Sequence, residues 1–500
     1  MSFIFKRVVL LAFPVLAILV ACSASAEEPS RLAQRLDAYL SAAEPNHFSG
    51  AVLVAKGGEV LFSRGYGYAD YETGVKVSSE TVFNIGSVTK QFTAAAVLKL
   101  VEQDKLHLDD TLGDLFDGVP EDKAGITVHQ LLTHTGGISR QDLGFRYDAV
   151  SKADFLDAFF ASSLATAPGT RHEYANTGYI LLAAIVERAS GQPFETYLRQ
   201  HLLEPAGLSK TGYLQPDWSN ARIANGYYFD LPTAGWKSWG TTFQQWGDGP
   251  VTWFGIGKGD LHSTTGDLYL WHKALRDGAV LTPESVALLQ TPHVPESEDG
   301  ATFYGYGWSI QSTNDGQRIV THNGSNGLFF ADFIRFVDED LVVVFLANVS
   351  LPEAVDSIAW RVARMARDDN YVPPSIPPSS YELVYQFMDS HPASEVDDFL
   401  SFMEARLGRP LSNRAVLNRI GFQLLGENDC EWSTALLQLN AGQFPDDGNL
   451  RDSLGEGLLA CGQSAEAARA FRQALELAPD ENCHWCQNAS ARLDQLSGAP

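Results

Sequence analysis

The 500 residues are too many for one hydrophobic core, and 45 % apolar residues suit a folded chain of two domains. A formal charge of −25 with no basic patch to offset it excludes nucleic acid and anionic lipid surfaces as natural partners. Apart from Cys22, the cysteines (Cys430, Cys461, Cys483 and Cys486) all lie near the C-terminus, and none is near residues 83–103, which excludes thiol catalysis there.

Lys6 and Arg7 precede an apolar stretch from Val8 to Ala21 that is too short for a comfortable membrane span and ends in small residues. It reads as an export signal covering residues 1–21. Leu19-Val20-Ala21-Cys22 has the form of a lipoprotein cleavage box, with Cys22 as the lipidated residue. Ala24-Ser25-Ala26 offers the alternative of a cleaved, soluble product. Export predicts a periplasmic protein, anchored through lipid at Cys22 if the box is used.

Residues 31–42 have the spacing of a short amphipathic helix. In "GAVLVAKGGEVLFSRGYGYAD" two β-rich runs flank Gly57-Gly58, a hairpin signal. From residue 83 the pattern becomes helical, beginning "FNIGSVTKQFTAAAVLKLVEQ". Strand-like runs return late, as "YGYGWSI", "RIVTHNG", "FFADFIRFVD" and "LVVVFLANV". Strands from both ends of a unit with helices between predict an α+β fold. Its antiparallel sheet would be flanked by helices and carry an all-helical insertion.

"YVPPSIPPSS" packs four prolines into ten residues and reads as a stiff linker over 370–380. Beyond it lies a helical region, 381–500, with a 34-residue repeat (about 414–447 and 448–481). Gly421 and Gly455, Leu424 and Leu458, Ser433 and Ala467, Leu437 and Phe471, and Pro445 and Pro479 are each 34 apart. This pattern resembles the tetratricopeptide repeat, in which glycine permits close helix approach and proline ends the second helix. Two copies are few for a free-standing array, so the helix near 381–407 or disulfides are expected to help cap it. In an oxidising compartment four cysteines suggest two disulfides, with three possible connectivities. Cys483-His484-Trp485-Cys486 carries the weaker alternative of metal or redox chemistry.

Ser87 and Lys90, three apart at the start of a helix, lie on one face. A serine needs a base to attack, and burial with nearby positive charge makes lysine a possible one. The helix N-terminus adds partial positive charge for an oxyanion. The spacing alone is common and proves little. The flanks carry more: "FNIGSVTKQFTAAAVLKLVEQDKLHLDDTLGDLF", Leu131-Leu132-Thr133-His134-Thr135-Gly136-Gly137, Tyr174-Ala175-Asn176, "GKGDLHSTTGDLYLWHKAL" and His322-Asn323-Gly324 follow in order. Over roughly residues 35–365 the chain resembles the β-lactamase-related and penicillin-binding serine hydrolases, in particular the class C-like branch. The resemblance implies a β-lactamase/transpeptidase-like hydrolase domain over 31–369.

It also implies roles. Ser87 would accept the acyl group and Lys90 take or relay its proton. Tyr174 would be a second base and leaving-group acid, and Asn176 would hold Lys90 and orient substrate. The N–H groups of Ser87 and Ser325 would form the oxyanion hole. Gly324 would leave room where substrate lies along its strand, and the segment around His134 would be structural. Histidine at 322, where β-lactamases carry lysine, lowers the expected affinity for β-lactam carboxylates. It points to esterases, D-aminopeptidase-type amidases and peptidases, with little β-lactamase activity. No metal or cofactor is implied. The partners expected are an ester or amide substrate and, through the repeats, a protein; a non-catalytic envelope sensor is the alternative. Four tryptophans in "WKSWGTTFQQWGDGPVTWFG" are expected either to overhang the site and favour apolar acyl groups, or to pack in the core.

Overall fold

The computed structural model describes residues 30–140, 143, 149–247, 251–297, 299–349, 351, 355–478 and 483–497. The signal, both cleavage boxes with Cys22, and Pro479 lie outside the described residues.

Eight strands form one antiparallel sheet: β1 (Gly50–Lys56), β2 (Glu59–Tyr66), β3 (Val294–Pro295), β4 (Thr302–Tyr304), β5 (Ser309–Ser312), β6 (Arg318–Ser325), β7 (Phe330–Phe336) and β8 (Leu341–Ala347). Their order is β2-β1-β8-β7-β6-β5-β4-β3, so strands from both ends of the unit close side by side, with Gly50 opposite Ala347. The β1–β2 turn is Gly57-Gly58, both at positive φ, as a tight hairpin requires. β7 and β8 are buried along their whole length because helices cover both faces. On one face lie α1 (Arg31–Ser41), capped by the Ser30 side chain, and α5 (Val355–Arg367). On the other lie α2 (Thr89–Glu102), α3 (Asn176–Ser190) and α4 (Thr265–Arg276), inserted between β2 and β3.

Three local readings change. "YGYGWSI" is two strands: β4 ends at Tyr304, the chain turns through Gly305–Trp308, and β5 begins at Ser309. Gly307 adopts φ +73, and a Cβ there would stand 2.7 Å from the Lys90 carbonyl, so this turn lies directly on α2. Gly86–Val88 is a 3-10 turn rather than the opening of the α-helix, so Ser87 stands just before α2. The proline-rich segment is extended but does not hang free: Arg35 holds the Tyr371 carbonyl and Asn46 the Ile376 carbonyl, pinning it to the sheet unit.

Beyond it, α6 (Ser380–Ser390), the helix Phe399–Leu407, α7 (Arg414–Gly426) and α8 (Cys430–Gln443) share an apolar core with Phe229 and Leu231 of the sheet unit. α9 (Gly448–Ala460) and α10 (Ser464–Glu476) begin 34 residues after α7 and α8. A Cβ on Gly421 would meet Leu437 at 2.7 Å, and one on Gly455 would meet Phe471 at 2.5 Å, so both pairs cross at a glycine in the same way. Cys430 is joined to Cys461, tying α8 to α9; Cys483 is joined to Cys486 at the start of α11 (His484–Ser497). Both thiols of the C-x-x-C are thereby consumed.

Candidate active site

Lys90 is fully buried in the first turn of α2. Its Nζ lies 3.0 Å from Ser87 Oγ, 3.0 Å from Asn176 Oδ1 and 2.7 Å from the Lys258 carbonyl oxygen. The two carbonyl-type oxygens can only accept. As the ammonium, Lys90 donates to all three oxygens; once deprotonated, its two hydrogens serve the two carbonyl-type oxygens and its lone pair faces the Ser87 hydroxyl, the geometry of a general base. Asn176 opens α3, and Lys258 belongs to a loop held on α2 by the Thr93 hydroxyl, which donates to the Gly257 carbonyl.

Tyr174 lies over the same lysine, with Nζ 4.9 Å from its ring centroid. Its loop is shaped by His134, which sits at φ +56. The His134 carbonyl accepts from Glu173 N–H, its Nδ1 accepts from Ala175 N–H at 3.2 Å, and its ring packs at a tilt against Tyr174 with centroids 4.3 Å apart. With Nδ1 accepting, the ring proton is on Nε2. Burial, then the charge of Lys90, holds the His134 pKa well below the ordinary range, so the residue is a neutral template.

Gly324 of β6 and Gly86 of the 3-10 turn meet face to face. A Cβ on Gly324 would stand 2.1 Å from the Ile85 carbonyl and 2.6 Å from Ser87 N; one on Gly86 would stand 2.7 Å from Ser325 N. A side chain at position 324 is therefore excluded by the serine turn itself, apart from any substrate clearance there. The pinch brings the Ser87 and Ser325 amides to one place, as an oxyanion pair requires.

His322 is buried on β6. Its Nδ1–H donates to the Asn323 carbonyl at 2.6 Å, so Nε2 accepts from the Tyr304 hydroxyl at 3.1 Å. Burial, then the charge of Lys90, lowers its pKa to about 4, the bond to Asn323 opposing. A neutral ring with both nitrogens engaged offers no charge to a substrate carboxylate. The stability consequence has a definite sign. An unfolded chain protonates His322 and His134 below their ordinary range near pH 6.5, while the folded chain resists until about pH 4 for His322. Their contribution is complete above about pH 6.5 and is lost as pH falls toward 4, on the order of 3 kcal/mol for His322 alone. Urea denaturation at pH 7.5 and 5 should show this loss; equal midpoints would contradict the neutral assignment.

Ser87, Tyr174, His322, Asn323 and Ser325 line one cavity of about 670 Å³, with Arg140, Arg171, His172, Glu173, Glu296 and Ser309 completing its wall. The structure thus brings together Ser87, Lys90, Tyr174, Asn176, His322, Gly324 and Ser325. Sequence reasoning missed Tyr304, the Lys258 carbonyl and the charged rim; "YGYGW" and "GKGD" were the available signals. Among the described residues, none of the four tryptophans lines the cavity. Trp236 packs on His47, Trp239 on Phe329, Trp246 on Phe243, and Trp253 under Lys152, which removes the argument for an aromatic acyl pocket.

Residues 32–367 match the family described as Beta-lactamase. Penicillin-binding protein 4* of Bacillus subtilis (strain 168) is 29 % identical over 320 residues, 61 % of this chain and 69 % of that one. Protein flp of Staphylococcus aureus (strain NCTC 8325 / PS 47) is 28 % identical over 344 residues, 65 % of each chain. The chain thus spans about two thirds of the length of these curated relatives. The crystal structure of a penicillin binding protein from Bacillus halodurans superimposes with a TM-score of 0.56 at 28 % identity, covering 66 % of this chain and 98 % of that one. With the match spanning well over half the chain, this protein belongs to the beta-lactamase family and is a serine hydrolase of the β-lactamase and penicillin-binding superfamily.

Proposed function

We propose that the protein is an exported hydrolase that cleaves an ester or amide through an acyl-enzyme on Ser87, with little action on β-lactams. The observation that carries this is the Lys90 amine, buried and 3.0 Å from Ser87 Oγ, with Asn176 and the Lys258 carbonyl committing its other valences. Ser87 Oγ bonds to the substrate carbonyl carbon as its single proton passes to the base that Lys90 and Tyr174 form together, and the same proton is available to the leaving group through Tyr174. The Ser87 and Ser325 amides receive the oxyanion. Collapse breaks the bond to the leaving group, which departs with a proton from Tyr174. A water then attacks the ester, and Ser87 recovers its proton.

The low β-lactamase expectation rests on His322, neutral and turned to Tyr304 rather than to substrate. Export rests on Lys6, Arg7 and the apolar run after them. The helix pairs between 414 and 476 fit the tetratricopeptide pattern, whose stacked helices bind peptides or proteins.

A panel of p-nitrophenyl esters, D- and L-aminoacyl anilides, a D-Ala-D-Ala peptide and a cephalosporin tests the reading. Turnover of esters or anilides well above the cephalosporin supports it; turnover confined to the cephalosporin, or none at all, defeats it. His322→Lys is expected to raise cephalosporin kcat/KM about tenfold, the effect of about 1.4 kcal/mol of carboxylate attraction. An unchanged rate in a folded variant would show that residue 322 does not set carboxylate preference.

A further inference from the structure

β6 is paired on both sides only as far as Thr321, which faces Ser309, the first residue of β5. Residues His322–Ser325 pair with β7 on one side and, among the described residues, have no strand on the other. That leaves a free backbone edge beside Ser87, along which an extended substrate can lie. Glu296 stands where this edge begins. Its amide donates to the Thr302 carbonyl, and its carboxylate accepts from the Ser309 hydroxyl, so it is anchored at both ends.

The charges around the cavity are not equivalent. Arg171 is exposed and paired with Glu173 at 2.6 Å, and Arg140 is exposed, so both are screened by water. Glu296 is half-buried and lines the cavity with Ser87, and no ion pair to it occurs among the described residues. Its surroundings contribute one hydroxyl and the rings near Tyr304 rather than a cation, and burial raises its carboxyl above the ordinary glutamate range. A desolvated carboxylate in a substrate cavity attracts a cation. The acidic chain as a whole steers cations toward it.

The direction follows from Tyr174, the residue placed to protonate the leaving group. Its ring lies 6.2 Å from that of His322, so the leaving group lies toward the His322 end of the free edge, the end Glu296 closes. From Gly324, against Ser87, to the level of Thr321 is three residues, about 10 Å along the strand. We infer that Glu296 selects substrates whose leaving group carries a remote ammonium, separated from the scissile carbonyl by a spacer on the order of 10 Å. This rests on the acyl-enzyme reading above.

The test compares butyrate esters of 5-amino-1-pentanol and of 1-pentanol, with hydrolysis followed by chromatography. The amino ester is charged at neutral pH. The wild-type ratio of kcat/KM, amino to neutral, is expected to be about ten or more; Glu296→Gln should bring it near one, and Glu296→Lys below one. A wild-type ratio near one, or a ratio unchanged in the folded Gln variant whatever the absolute rates, overturns the inference while leaving the hydrolase reading intact. Should the variants not fold, inhibition of the wild type decides: pentylammonium should compete at least tenfold better than 1-pentanol, and equal inhibition overturns the inference. Ser87→Ala is the separate control, since hydrolysis of both esters surviving in it would instead defeat the acyl-enzyme reading.

Discussion

Ser87→Ala should lose all labelling by a fluorophosphonate probe and lower kcat/KM for the best ester by roughly 10⁴-fold or more, over 5 kcal/mol of transition-state stabilisation. The size follows from the part removed. Without Oγ there is no acyl-enzyme, and Lys90 has nothing to deprotonate but water, held in no fixed place. The change should be nearly silent in stability. Ser87 contributes one side-chain hydrogen bond, and Lys90 keeps Asn176 and the Lys258 carbonyl, so a loss of no more than about 1 kcal/mol is expected. Lys90→Ala would be the opposite case. It empties a fully buried position and strands two acceptors, so it should lower both activity and the melting temperature. Equal probe labelling of wild type and Ser87→Ala, with both folded, would sink the nucleophile assignment.

What the chain disclosed in advance divides along a physical line. The seven residues from Ser87 to Ser325 that the fold gathers were legible because they stand in short motifs whose order resembles that of a known family, and their expected roles came with that resemblance. The sheet was legible where its strands are long. β6, β7 and β8 are each seven or eight residues long, and β8 is apolar throughout. β3 and β4 span two and three residues and carry no periodicity to read. The turn after Tyr304 was hidden inside an apolar run because Gly305 and Gly307 serve close packing there, with Gly307 set against the Lys90 carbonyl. The Lys258 contact was illegible for a deeper reason: a backbone carbonyl has no residue type. Tyr304 was visible as a letter, but its role depends on a register that only the folded sheet supplies. The tryptophans left two readings open, because large apolar groups serve cores and pockets equally well, and packing is the one the fold adopts.

Gly324→Ala offers the strongest test of the pinch between β6 and the serine turn. The added methyl would stand 2.1 Å from the Ile85 carbonyl oxygen, 2.6 Å from Ser87 N and 3.0 Å from the Gly86 carbonyl carbon. All three are backbone atoms, so no rotamer change relieves the overlap. β6 is also held by seven register pairs to β7, which resist its retreat. The serine turn and the strand must therefore part, and with them the two amides that would face the oxyanion. Loss of one well-placed donor costs about 10²–10³ in kcat, and a separation of the pair should cost at least as much. The overlap should also lower stability by about 1–3 kcal/mol, as overpacking does. The two effects can be told apart, because Ser87 Oγ and Lys90 remain: acylation should slow in the same proportion as turnover, while KM changes little. Gly426→Ala, at a position with open space, should leave both quantities near wild type. A folded Gly324→Ala protein with kcat within threefold of wild type would mean that the oxyanion is not held between Ser87 and Ser325.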